Sequence, residues 1–320
     1  MMLATSNDLN SVFKFKHLYT VSDGVDLKYE KRTKHEQFMF KWLHWSFRLD
    51  ENTILTTDAN RVHLFKLVTS SDPLSCTFYK SIDFGEDSDL KGVCQYSPYN
   101  KKLCLVDQGT SSVLLIDEEF KIVKKLDFKS ASKKRWLYSC DQYDFQIFVL
   151  DRTNCSVLVI NSNFQFLKEI DIKLPIMFPK KISLREIIVR DDKVYLTDND
   201  HGNRSMHIFD LNFNYIRSFG FGLLHNPYAF LFFKNEYIFV LQHSNTISIF
   251  DVKDFKLKAT KTLENCESAI NGIIINNTIF ITSLLTVNLP KLLNENSTQL
   301  IQPEVIEPQL TTKIDVYEIN

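Results

Sequence analysis

One pattern recurs along the chain often enough to dictate its fold. A short apolar strand ends in a polar residue, a tight polar turn follows, and a second apolar strand returns. "LCLVDQGTSSVLLI" carries the pattern at Asp107 and "IFVLDRTNCSVLVI" carries it at Asp151. "ILTTDANRVHLF" has Asp58, "VYLTDNDHGNRSMHIF" has Asp198, "IFVLQHSNTISIF" puts Gln242 in that place, and "IFITSLL" puts Ser283 there. The successive spacings, by subtraction, are 49, 44, 47, 44 and 41 residues. Six units of this length match propeller blades, not helical or solenoid repeats. The expected fold is therefore all-β: a six-bladed β-propeller with four-stranded blades.

The third unit shows the layout of a blade. Residues 136–140 start strand a, 145–150 form b, 156–160 form c and 165–170 form d. Strand b is nearly all apolar because neighbouring blades cover both its faces. Strand d, "FQFLKEIDI", alternates, as an outer strand partly facing water does. The sixth unit has strands a, b and c at 269–275, 278–283 and 313–320, but no d. The strand-like "SVFKFKHLYT" near the N-terminus lies ahead of the first strand a. The N-terminal strand is expected to complete the C-terminal blade, which closes the ring and removes two open edges. This gives a flexible N-terminus at 1–10 and one propeller domain at 11–320. Residues 285–312, with Pro290, Pro303 and Pro308 among many Asn and Gln, read as a long loop in the last blade.

Composition narrows the function classes. The 320 residues are 44% hydrophobic, with 26 Phe and 12 Tyr, which suits an ordered β-rich chain. A net charge of −1 gives no global attraction to nucleic acid or an anionic membrane, so neither DNA nor a membrane is an expected partner. The N-terminus lacks a basic segment followed by an apolar core, so a cytoplasmic location is expected. Six cysteines show no C-x-x-C pairing and read as buried, reduced thiols.

"FGFGLLHNPYAFLFFKNEYIFVLQHSNTISIFDVKDFKL" resembles an NHL repeat, with its Gly-containing lead and a Pro opening the inner strand. "TTDANRVHLF" is similar to the NHL turn at Asp58, Asn60 and Arg61, and Asp198 with Arg204 keeps that turn with an insertion. NHL propellers include RNA binders and protein-docking modules, so the resemblance implies either.

No reaction-bearing motif is present: no G-x-S-x-G, no Walker loop, no H-x-E-x-H, and no cofactor is expected. The repeated acids Asp58, Asp107, Asp151 and Asp198 read as turn residues that accept backbone N–H bonds. His201 and His243 fall on matching turns of adjacent blades. A propeller hydrolase or lyase with a channel metal is a competing reading, with Glu186, Asn226 and Asn271 near strand a as candidates. The strongest charge signals are "KSASKKRWLY" and "FPKKISLR", both in d–a connections. On a propeller these emerge on the same face as the b–c turns carrying Arg61, Arg152 and Arg204. Lys129, Lys133, Lys134, Arg135, Lys180, Lys181 and Arg185 then form a basic arc interleaved by Trp136, Tyr138 and Phe178. The expected function is a non-catalytic interaction scaffold that binds a protein or peptide partner on this face. Single-stranded RNA is the alternative, since aromatic platforms with cations hold it. The acidic loop at Glu86, Asp87 and Asp89 favours protein.

Overall fold

The computed structural model describes residues 13–21, 43–68, 75–97, 102–129, 134–178, 182–287 and 309–319. β1 (Phe15–Val21) comes first in the chain. Blade one is β2 (Leu43–Asp50), β3 (Thr53–Asp58), β4 (Arg61–Val68) and β5 (Ser75–Asp83). Blade two is β6 (Leu90–Ser97), β7 (Lys102–Asp107), β8 (Ser112–Ile116) and β9 (Ile122–Asp127). Blade three is β10 (Leu137–Tyr143), β11 (Gln146–Asp151), β12 (Ser156–Ile160) and β13 (Phe166–Asp171). Blade four is β14 (Leu184–Arg190), β15 (Lys193–Asp198), β16 (Ser205–Asp210) and β17 (Tyr215–Phe219). Blade five is β18 (Pro227–Phe233), β19 (Tyr237–Gln242), β20 (Thr246–Asp251) and β21 (Leu257–Thr262). Blade six is β22 (Ser268–Ile275), β23 (Thr278–Val287) and β24 (Gln309–Ile319), with β1 as its outer strand. All six sheets are antiparallel and the ring is a six-bladed propeller, with no helix among the described residues.

The closure follows the expected scheme. β1 runs antiparallel to β24 from Phe15 opposite Ile319 to Val21 opposite Ile314. Just ahead of it, Phe13 is buried edge-on against Phe233, Tyr237 and Phe239 of blade five, with ring centroids 6.4, 4.9 and 5.6 Å away. The N-terminal segment thus fills the seam between two blades as well as an edge. The last blade differs from its expected outline at the long loop. β23 and β24 keep pairing to Val287 and Gln309, so strand reaches into both ends of the segment assigned to the loop. Residues 288–308 and 1–10 lie outside the described residues.

The core is not central. It is six apolar slabs, each between neighbouring blades. Strand b is buried along its length in every blade with described side chains, because a slab covers each face. Strand d is the reverse: β9 and β13 are exposed at nearly every position.

The c–d turns explain how so few glycines suffice. Asp117, Asn161 and Asp210 each accept the backbone N–H two and four residues on, at 2.8–3.0 Å. Each of these turns then places a Phe at positive φ: Phe120 at 65°, Phe164 at 57° and Phe213 at 62°. A left-handed L-residue costs on the order of 1–2 kcal/mol. Burial of Phe164 and Phe213 in the slabs offsets it.

Candidate functional site: a cationic funnel at the channel mouth

Ladder register places the start of each strand a beside the end of strand b. Leu43 faces Asp58, Leu90 faces Asp107, Leu137 faces Asp151, Leu184 faces Asp198 and Pro227 faces Gln242. All these ends share one face of the ring. The polar residues ending strand b lock the turns there. Asp107 accepts Asp89 N–H at 2.9 Å, Asp198 accepts Ser183 N–H at 2.8 Å, and Gln242 Oε1 accepts His225 N–H at 2.6 Å. Asp151 accepts Thr153 N–H at 2.9 Å. Each clamps its own turn, and Asp107, Asp198 and Gln242 also clamp the incoming d–a link, a role that fits turn residues.

One residue after each strand-a start, the side chains turn toward the axis: His44, Lys91, Tyr138, Arg185 and Tyr228. With Trp136 and Arg152 they line a cavity of about 410 Å³ on that face. Arg185 donates to both Tyr hydroxyls, at 3.3 Å to Tyr138 and 3.2 Å to Tyr228. Its guanidinium also lies 4.7 Å from the Tyr228 ring centroid. Arg152 stacks over Tyr138 at 4.6 Å, with Trp136 at 6.0 Å, and donates to Ser183 Oγ at 3.3 Å. The two guanidiniums therefore flank one phenol ring, held by aromatic faces and hydroxyls.

The electrostatics are lopsided. Neither Arg152 nor Arg185 has an ion pair among the described residues. Burial, with Arg185 nearby, lowers Arg152 from its ordinary value. Lys91 is lowered by burial against the pull of Asp89, which it meets at 2.8 Å. His44 is held well below its ordinary value by burial, then by Lys91 and Arg185. Its neutral Nε2 accepts from Lys91 Nζ at 2.6 Å. Burial likewise raises the Tyr138 phenol. Asp89 is the one carboxylate lining the cavity, and Lys91 already occupies it. Two cations thus face each other with no compensating anion.

Beside the cavity, Trp45 and Tyr138 meet edge to face at 5.1 Å, and both belong to the apolar slab of blades one and two. One layer down, Glu186 accepts Phe230 N–H at 2.6 Å and the Asn271 amide at 3.2 Å, and Asn271 Oδ1 accepts Ser46 N–H at 3.1 Å. This chain of bonds joins blades four, five, six and one. Burial pushes the Glu186 carboxyl up to about 8.

Of the residues expected to bind, Trp136, Tyr138, Arg152 and Arg185 converge on the funnel. Among the described residues, the rest of the basic arc does not assemble there. Arg135 is tied to Asp151 at 3.3 Å and Glu169 at 2.9 Å. Phe178 packs against His207 and Tyr215 at 5.5 and 5.9 Å. Arg204 meets His201 at 2.5 Å. Lys134 is exposed, and Lys133, Lys180 and Lys181 lie outside the described residues. His201 and His243 do not come together: His243 tilts against Tyr228 at 5.1 Å. Sequence reasoning missed His44, Lys91 and Tyr228. Their shared signal is their place one residue after the strand-a start.

No family model matches the chain, and no curated protein matches it. A solved structure, that of a protein of unknown function from Bacteroides caccae, superposes with a TM-score of 0.55. It is 9% identical over 72% of this chain and 82% of that one, a likeness of fold alone.

Proposed function

We propose that this propeller is a binding module that takes an acidic segment of a protein or peptide partner in the funnel. The observation that carries it is the Arg152–Tyr138–Arg185 arrangement: two half-buried guanidiniums beside one ring, with no acid to neutralise them. A carboxylate entering there gains charge-assisted hydrogen bonds in a partly desolvated site and relieves the repulsion between the two cations. The volume of about 410 Å³ suits one or two side chains inserted from above. Trp136, 52% exposed at the rim, offers a flat apolar platform to the flanking backbone. A non-catalytic role fits the two Arg, the two Tyr, His44 and Lys91, all engaged with one another. The NHL resemblance, with its docking members, agrees with this role.

The experiment compares a fluorescent glutamate-rich peptide with a short single-stranded RNA, across salt, for three proteins. These are the parent, Arg152→Gln/Arg185→Gln, and Lys133→Glu/Lys134→Glu. Peptide binding lost in the first variant and kept in the second supports the reading. RNA binding that falls steeply with salt and disappears in the lysine variant replaces it with the RNA alternative.

A further inference from the structure

Three of the six cysteines meet in one slab. Cys94 on β6 lies directly across the ladder from Cys104 on β7, and Cys140 comes from β10 of the next blade. Their sulfurs all lie within 4.8 Å of one another. The residues are 3%, 0% and 4% exposed. Among the described residues this is the only group of three or more ligating side chains gathered so closely. The chain brings β6 and β10 together at Gly92. A Cβ there would sit 2.7 Å from Cys140 N and 2.8 Å from Ser139 Cα, so any side chain would push the third thiol away.

We infer that Cys94, Cys104 and Cys140 form a trigonal thiol site for a soft monovalent metal ion, namely Cu(I). Metal–sulfur bonds near 2.3 Å put three sulfurs in a plane around an ion about 4 Å apart, within the spread seen here. Zinc is the poorer fit, because a structural zinc takes four ligands and no fourth ligating group among the described residues lies within the cluster. Thiolates in an apolar shell select Cu(I) over harder ions. The shell is apolar: Val106, Leu137, Ile147 and Val149 belong to the same slab.

Binding forms three Cu–S bonds as all three S–H bonds break, so that each sulfur ligates as a thiolate. The protons lost go to solvent, and no electron changes hands. Because the site is closed to water, loading accompanies folding.

The test refolds the full chain anaerobically with Cu(I) buffered by a chromogenic chelator, then measures bound copper and its sulfur coordination by X-ray absorption. The expected result is one copper per chain with three sulfur ligands. Retention against the chelator should fall at least tenfold in Cys94→Ser, Cys104→Ser and Cys140→Ser, and stay at the parent value in Cys76→Ser and Cys266→Ser. The parent alone keeps the claim testable should a variant fail to refold. Parent protein that folds without retaining copper overturns the assignment. So does copper with two sulfur ligands, or copper held equally by a chain lacking all three thiols.

Discussion

Trp45 and Tyr138 meet from strands two blades apart, their rings 86° from parallel with centroids 5.1 Å apart. Tyr138 thereby links the slab of blades one and two to the cavity, where two arginines flank its ring. Tyr138→Ala is expected to lower stability by about 3–5 kcal/mol through cavity formation. Tyr138→Phe keeps the packing and removes only the hydroxyl that Arg185 reaches. It should melt within a few degrees of the parent while weakening peptide binding several-fold. Thermal unfolding and a binding titration on both variants check the split.

The closing strand supports a second expectation. Removing residues 1–20 takes away most of β1 and the buried Phe13, exposing β24 and the blade five–six seam together. The whole ring should lose stability in one cooperative transition, not fray at one end. Phe13→Ala alone should cost about 3–5 kcal/mol. Denaturant melts read both; a truncated chain that melts at the parent midpoint would reject the closure as a stabilising device.

A pH dependence follows from the buried acids. Glu186 is raised to about 8 and Asp141 to about 7, each mainly by burial. Both carboxyls hold a proton in the folded chain at pH values where the unfolded chain has lost it. The native state then binds more protons, so stability falls as pH rises from roughly 4.5 toward 8. Glu186→Gln should flatten that slope above pH 7, where Asp141 contributes less. A parent that gains stability across this window would contradict the assignment.

Gly92 marks a close approach of two blades. Gly92→Ala drives a Cβ against the backbone at Ser139 and Cys140 and should cost more than 2 kcal/mol. Gly222→Ala meets no neighbour within 4 Å, although φ there is +72°. Only backbone strain of about 1–2 kcal/mol is expected. Chemical denaturation of the pair gives the ranking.

The sequence showed the ring more readily than the site, and the reason is physical. Strands b and c carry an unbroken apolar demand because two slabs cover them, so "IFVLD" and "VLVI" announce themselves. Asp107, Asp151 and Asp198 recur because their b–c turns use the same backbone acceptor. The funnel residues instead come one per blade, from strand-a positions that have no common chemistry: His44, Lys91, Tyr138, Arg185 and Tyr228. Nothing along the chain marks them until the blades are superposed. Arg135 stands apart from them for the opposite reason. It sits in a conspicuous basic run, yet Asp151 and Glu169 arrive from β11 and β13 to neutralise it. The thiols of Cys94 and Cys140 meet only through blade-to-blade packing, which a linear spacing does not reveal.

The central claim is that an acidic segment enters the funnel between Arg152 and Arg185. Its most direct measurement is a calorimetric titration of a glutamate-rich peptide at low salt, with Trp136 emission recorded in parallel. Trp136 lies 6.0 Å from the Arg152 guanidinium and is half exposed, so an occupied funnel must change its surroundings. The account predicts one peptide per chain, a saturable emission change that Trp136→Phe removes, and at least tenfold weaker binding in Arg152→Gln/Arg185→Gln. Peptide binding that leaves Trp136 emission unmoved and survives loss of both arginines would contradict it.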